Sequence, residues 1–176
     1  MEICKGEEVQ LFVEGADYVN WSPTLGLSCD HCPNPIVSVS TTTTYKVSAV
    51  SCLGTMVETS ATVYVNDPPV LYVTDDPTII KGESIFLMAS TDDATDQIIW
   101  AEGDLIICEN CREMTLTPEQ NTTYTITAID ENGCETVEEI MVRVNDGCQY
   151  SKLEIPNMFS PNDMIGFSVA QCSLPM

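Results

Sequence analysis

Trp21-Ser22-Pro23-Thr24-Leu25-Gly26-Leu27-Ser28-Cys29-Asp30-His31-Cys32 returns once, altered, as Trp100-Ala101-Glu102-Gly103-Asp104-Leu105-Ile106-Ile107-Cys108-Glu109-Asn110-Cys111. Tyr45 and then Asn66-Asp67 follow the first copy, as Tyr124 and then Asn145-Asp146 follow the second. Each of these landmarks is displaced by 79 positions. Upstream, Ile3-Cys4-Lys5-Gly6-Glu7 matches Ile79-Ile80-Lys81-Gly82-Glu83 at a displacement of 76, so three residues were inserted before Trp100, within residues 92–97. A period this long means tandem domains, because the units of a solenoid are shorter.

On either side of the tryptophans, both copies read as β throughout. Residues 8–13 and 44–50 alternate polar and apolar side chains, as half-buried strands do. Residues 18–21, 35–40 and 55–65 supply three more strands of the first repeat. Their counterparts are 84–89, 97–101, 113–117, 123–129 and 135–144. Gly and Pro punctuate between them, and no window carries a 3.6-residue period. Short strands, one Trp on an early strand and one Tyr entering the penultimate strand predict an all-β fold of two tandem immunoglobulin-like β-sandwich domains. Trp21 and Trp100 are core candidates that fill the space between sheets. Tyr45 and Tyr124 are core candidates whose hydroxyls bond nearby backbone at a corner. Residues 1–67 form repeat 1, Pro68-Pro69 a stiff linker, residues 70–146 repeat 2, and residues 147–176 a tail.

Composition narrows the function classes. Six Lys plus Arg against 27 Asp plus Glu give a net charge of −21, which argues against nucleic acid and against an anionic membrane surface. No apolar run approaches the roughly 18 residues of a spanning helix, so no membrane insertion is expected. The first residues enter a strand-like pattern at once and carry no signal peptide, so a secretion signal would lie upstream of this stretch. Nine cysteines, including the close pairs Cys29/Cys32 and Cys108/Cys111, suggest an oxidising compartment or a metal site.

The phrases Cys4-Lys5-Gly6-Glu7, Cys32-Pro33-Asn34-Pro35, Thr42-Thr43-Thr44-Tyr45, Asn121-Thr122-Thr123-Tyr124 and Asp130-Glu131-Asn132-Gly133-Cys134, together with residues 21–29, resemble the Ig-like or PKD-like repeats of large Bacteroidota surface proteins, gliding-motility-associated adhesins included. The resemblance covers residues 1–146 and implies a fold rather than a ligand. Ile155-Pro156-Asn157-Met158-Phe159-Ser160-Pro161-Asn162 resembles the opening of the type B C-terminal sorting domain used by type IX secretion. That family continues with a Gly-Asp-Gly phrase, whereas this chain reads Asp163-Met164-Ile165-Gly166, so a truncated start of that domain is expected.

In that surface context, Cys29–Cys32 and Cys108–Cys111 are expected as small loop disulfides, one per repeat. Zinc is the alternative, but zinc ribbons separate their pairs by roughly 15–20 residues. Here the two pairs lie in equivalent loops of separate repeats, and the counterpart of His31 is Asn110. A thioredoxin-like βαβ context is missing for redox chemistry. The resemblance implies a Cys4–Cys52 pairing. Cys134 has no repeat-equivalent partner, because Ile80 stands where Cys4 does, and Cys148 lies too far along one strand-like segment. With an odd count, at least one cysteine is free or pairs outside the chain, Cys148 and Cys172 being candidates.

Two Lys/Arg against eight Asp/Glu leave residues 1–68 at −6, whereas three against 17 leave residues 69–146 at −14. Asp75 and Asp76, near the repeat junction, are the best candidate calcium ligands, against the plainer reading of a solvated acidic surface. No other cofactor is expected. One histidine and no nucleophile, phosphate-loop or histidine-metal motif argue against an enzyme. The reading is a non-catalytic structural or adhesive repeat module of a large extracellular or outer cell-surface protein. Its partners would be an extracellular protein or polysaccharide, beside flanking domains of the parent chain. The alternative is an accessory or carbohydrate-binding module of a secreted hydrolase, which requires exposed indoles.

Overall fold

The computed structural model describes residues 1–51 and 53–147, and the regular elements among these described residues are all strands. In repeat 1 these are β1 (Glu2–Cys4), β2 (Glu8–Gln10), β3 (Tyr18–Ser22), β4 (Ile36–Ser38), β5 (Thr43–Val50) and β6 (Met56–Asn66). One sheet has the order β1-β6-β5-β3, and a second pairs β2 with β4. Repeat 2 contains β7 (Leu71–Val73), β8 (Thr78–Ile80), β9 (Ile85–Thr91), β10 (Gln97–Glu102), β11 (Leu105–Glu109), β12 (Glu113–Leu116), β13 (Thr122–Ile129) and β14 (Glu135–Asn145). Its sheets run β11-β10-β13-β14-β8 and β12-β9-β7. β3, β5 and β6 share one sheet as their counterparts β10, β13 and β14 do, while β2 and β4 share the other as β9 and β12 do. This is the immunoglobulin-like arrangement.

The first strand of each main sheet closes it in parallel with the last. Glu2, Ile3 and Cys4 face Tyr64, Val65 and Asn66, and Thr78, Ile79 and Ile80 face Arg143, Val144 and Asn145. The Lys-Gly-Glu phrase then turns the chain out of the sheet. Glu7 N–H donates to the Cys4 carbonyl at 3.0 Å and Glu83 N–H to the Ile80 carbonyl at 2.9 Å. Gly6 and Gly82 take φ of +97° and +91°, the left-handed third position of a type II turn. Each glutamate reaches back to accept the backbone N–H of Cys4 or Ile80.

Alternation decides what is buried. Tyr45 and Val47 of β5, and Tyr124, Ile126 and Ala128 of β13, point inward while their neighbours stay exposed or partly so. In repeat 1 both sheets feed one core of Ile3, Leu11, Val19, Trp21, Val37, Tyr45, Val47 and Val63. The strand expected over residues 8–13 stops at Gln10. Leu11 and Val13 still donate to the carbonyls of Pro35 and Pro33, but neither proline has an N–H to return, so the ladder is one-sided there.

The chain divides into two compact units that cut across the repeats. The first takes in 1–72, 90–98 and 127–137; the second takes in 73–89, 99–126 and the described residues from 138 on. The insertion located at residues 92–97 is the β9–β10 turn, within the first unit. There Asp92 accepts the Val70 N–H at 2.9 Å, and Asp93 Oδ1 accepts both the N–H and the hydroxyl of Thr95.

Gly26 is the glycine repeat 1 depends on most. It holds φ at +71°, and a Cβ there would collide with the Ser38 carbonyl and the Val39 side chain. Gly15 also has positive φ (+72°) but faces open space. Gly26→Ala is expected to cost roughly 2–4 kcal/mol, the sum of left-handed strain and a backbone clash, and Gly15→Ala about 1 kcal/mol. Denaturant midpoints of the two variants check this, and equal shifts would refute the close approach at Gly26.

Candidate functional site

β3 and β10 each carry a tryptophan into the interior, Trp21 at 3% exposure and Trp100 at 0%. Neither ring is available to a sugar. Each indole N–H is satisfied in the same way: Trp21 donates to the Cys32 carbonyl at 3.0 Å, and Trp100 to the Cys111 carbonyl at 2.7 Å. The acceptor lies eleven residues downstream in both. The Cys-x-x-Cys loop is thus the lid over the core indole, not a free-standing motif.

Within that loop Cys29 is disulfide-bonded to Cys32 and Cys108 to Cys111, with Cα separations of 5.8 and 6.0 Å. Sulfurs bonded to each other offer no thiolate to zinc. Asn110 adopts φ of +61°, a left-handed conformation that asparagine tolerates better than most residues. The approach to the loop differs between copies. In repeat 2, β11 pairs antiparallel with β10 and sets Cys108 opposite Trp100. In repeat 1, Pro23 stands where Glu102 does and lacks the donor that such a pairing needs. His31 lies beside Tyr18, with ring centroids 5.8 Å apart, and 3.8 Å from the Asp30 carboxylate.

Both candidate tyrosines are buried. Tyr45 donates its hydroxyl to the Leu25 carbonyl at 2.6 Å, twenty residues upstream, and burial holds its phenol above the usual range. Burial first, and the Glu102 carboxylate second, raise Tyr124.

Cys4 does not pair with Cys52. It is bonded to Cys134, across a sequence separation of 130 residues and with Cα atoms 5.5 Å apart. Cys52 lies outside the described residues, as do Cys148, Cys172 and the tail expected to resemble a sorting domain. Cys134 finds its partner because a tight turn presents it. Asp130 N–H donates to the Cys134 carbonyl at 3.1 Å, Gly133 N–H to the Asp130 carbonyl at 3.2 Å, and Gly133 takes φ of +82°. The Asp130 carboxylate accepts the N–H groups of Asn132 and Cys134, both at 2.8 Å. Repeat 1 builds the same turn from Ser51, Gly54 and Thr55, each 79 positions earlier, with no carboxylate.

Of the two candidate calcium ligands, only Asp76 is engaged within the fold. Asp76 gives one carboxylate oxygen to the Met141 N–H at 3.0 Å and the other to Arg143 at 3.5 Å, and Asp75 is exposed. Asp96 is buried with one carboxylate oxygen lacking a partner. Among the described residues no three His, Cys, Asp or Glu side chains converge on a point that could hold a metal ion. Among the described residues, one open recess of about 520 Å³ lies over Lys81, Glu102, Glu119 and Tyr124, and another of about 440 Å³ over Asn20, Lys46, Ser48 and Glu58. Neither is lined by a histidine or cysteine. No described helix is long and apolar enough to cross a membrane, which says nothing of β-barrels.

Strand order and core define the class: two immunoglobulin-like sandwiches in tandem. No protein-family model matches the chain, and no curated protein matches it. Among solved structures it is similar to DIP-gamma IG1+IG2 at 14% identity and a TM-score of 0.39, covering 81% of this chain and 92% of that one. Rst D1-D2 gives 14% and 0.39, over 82% and 95% of the two chains. Murine CEACAM1b gives 12% and 0.36, over 82% and 96%.

Two outcomes test this site. Trp21→Phe keeps most of the apolar volume but leaves the Cys32 carbonyl unpaired, and is expected to cost about 1–3 kcal/mol; Trp21→Ala adds a cavity and should cost about 3–5 kcal/mol. Equal losses in chemical denaturation would mean that the hydrogen bond contributes nothing. The second concerns Asp130. Burial pushes its carboxyl up, but the N–H groups of Cys134 and Asn132, the Asn132 side chain and Gly133 outweigh it and hold the group below its ordinary 3.8. A carboxyl depressed on folding contributes stability that is complete above that ordinary value and lost as pH falls through the folded one. Asp130→Ala should therefore lower the melting temperature at pH 7 and narrow its deficit on acidification below about pH 3.8. A deficit constant from pH 7 to 2 would refute this role.

Proposed function

We propose that the chain is a non-catalytic structural or adhesive module, residues 1–67 and 70–146 being its two repeats, within a larger secreted or outer cell-surface protein of the gliding-motility-associated type. One observation carries the reading: the paired loop cysteines, both indoles and two of the carboxylates are committed to the scaffold. The cysteines of both Cys-x-x-Cys loops are paired, both indole N–H groups serve loop carbonyls, and the Asp76 and Asp130 carboxylates serve backbone N–H groups. Three disulfides among the described residues fit an oxidising compartment, which supports an extracellular location. The partner class that suits such a module is an extracellular protein or polysaccharide. The carbohydrate-binding alternative loses the two rings it relied on, since both are buried.

The test pairs turnover with retention. Oxidised chain, offered chromogenic glycosides, esters and peptide substrates, is expected to give no product above the buffer rate. It is also expected not to sediment with insoluble cellulose, xylan or chitin. Product formation would overturn the non-catalytic reading, and saturable sedimentation would restore the hydrolase-accessory one.

A further inference from the structure

The Cys4–Cys134 bond changes how the chain can carry tension. Cys4 ends β1, and Cys134 immediately precedes β14; both belong to the first compact unit. A pull that enters ahead of Cys4 and leaves beyond Asn145 has two routes. One follows the backbone through every residue between the cysteines. The other crosses from Cys4 to Cys134 through sulfur and continues along β14. The second is far shorter. The separation of 130 residues, at about 3.4 Å per extended residue, amounts to about 440 Å of chain, against 5.5 Å between the two Cα atoms.

The short route has little slack. β14 runs without a break from Glu135 to Asn145, in the extended conformation a strand already has. It lies between β13 on one side and, over Arg143 to Asn145, the parallel strand β8 on the other. We propose that the Cys4–Cys134 disulfide makes β14 a tension-bearing cable for the whole two-repeat module, with the folded chain between the cysteines bypassed by the load. Pulling then cannot lengthen the chain by unfolding either core, because the residues that form the cores lie almost entirely inside the bypassed loop. The cores of Trp21 and Trp100 are preserved at forces that would otherwise draw them out. The other two disulfides cannot do this. Each spans three residues, so opening one frees only about 10 Å.

The inference goes beyond the spacer reading and depends on no adhesive partner, so the two fail separately. The test is single-molecule stretching of the full chain between handles attached through terminal peptide tags. Oxidised wild-type chain is expected to show no long unfolding step. With dithiothreitol present, steps summing to about 440 Å of additional contour length should appear. Cys4→Ser should release the same length without reductant, and the Cys108→Ser/Cys111→Ser double variant should stay short. Dithiothreitol acting on folded wild-type chain in the trap keeps the test valid if Cys4→Ser does not fold. The same long release from oxidised wild-type chain would overturn the proposal. So would alkylation of Cys4 or Cys134 in unreduced protein, read by peptide mapping.

Discussion

A buried indole brings a large apolar surface and one N–H that must find an acceptor, and much of each repeat follows from meeting both demands. Packing the ring between sheets supplies most of the energy, several kcal/mol against about one for the hydrogen bond. The bond supplies position. Because Trp21 must donate to Cys32 and Trp100 to Cys111, the loop that follows the tryptophan strand returns over the ring in both copies. The cysteine pair fixes the two ends of that return. A three-residue disulfide loop removes little chain entropy, so its value lies in holding a carbonyl where the indole needs it.

The two copies keep their turns more faithfully than their strands. Cys4-Lys5-Gly6-Glu7 and Ile80-Lys81-Gly82-Glu83 share the same backbone hydrogen bond, the same left-handed glycine and the same glutamate cap. Turn geometry tolerates few residue types, whereas a strand only needs its inward positions filled. Divergence concentrates where it is cheap. Pro23 excludes from repeat 1 the strand pairing that β11 makes in repeat 2, and the inserted segment became the β9–β10 turn.

Long alternating strands were readable from sequence because burial imposes a period of two over enough residues to be seen. β5, β6, β13 and β14 match their expected spans within a residue or so. β7 and β8, at three residues each, are too short to show a period, and Leu105-Ile106-Ile107 of β11 is an unbroken apolar run without one. The shortening of β2 is encoded in Pro33 and Pro35, which lie just ahead of its partner β4 rather than in β2 itself. The indole-to-loop bonds were beyond sequence reasoning, since spacing alone does not say which carbonyl faces a ring. Asp76 shows the converse difficulty. Its sequence neighbourhood suggested a cation, while its oxygens serve Met141 and Arg143 some 65 residues away.

The long disulfide is where repeat logic misleads, and the reason is instructive. Comparing copies position by position, Cys4 faces Ile80 and Cys134 faces Thr55, so each cysteine looks like an orphan of its own repeat. The pairing uses one cysteine from each of two differently conserved turns, the Lys-Gly-Glu turn of the first copy and the Asp130 turn of the second. Had both turns carried cysteine in both copies, a newly oxidising chain would face competing partners of nearly identical local geometry. Isoleucine at 80 and threonine at 55 leave the two equivalent positions without a thiol. Ile80 keeps the turn without a thiol, and Thr55 keeps the hairpin hydrogen bond through its backbone carbonyl. Among the described residues, the closure that spans the repeats therefore joins positions at which the other copy has no thiol, Cys4 against Ile80 and Cys134 against Thr55.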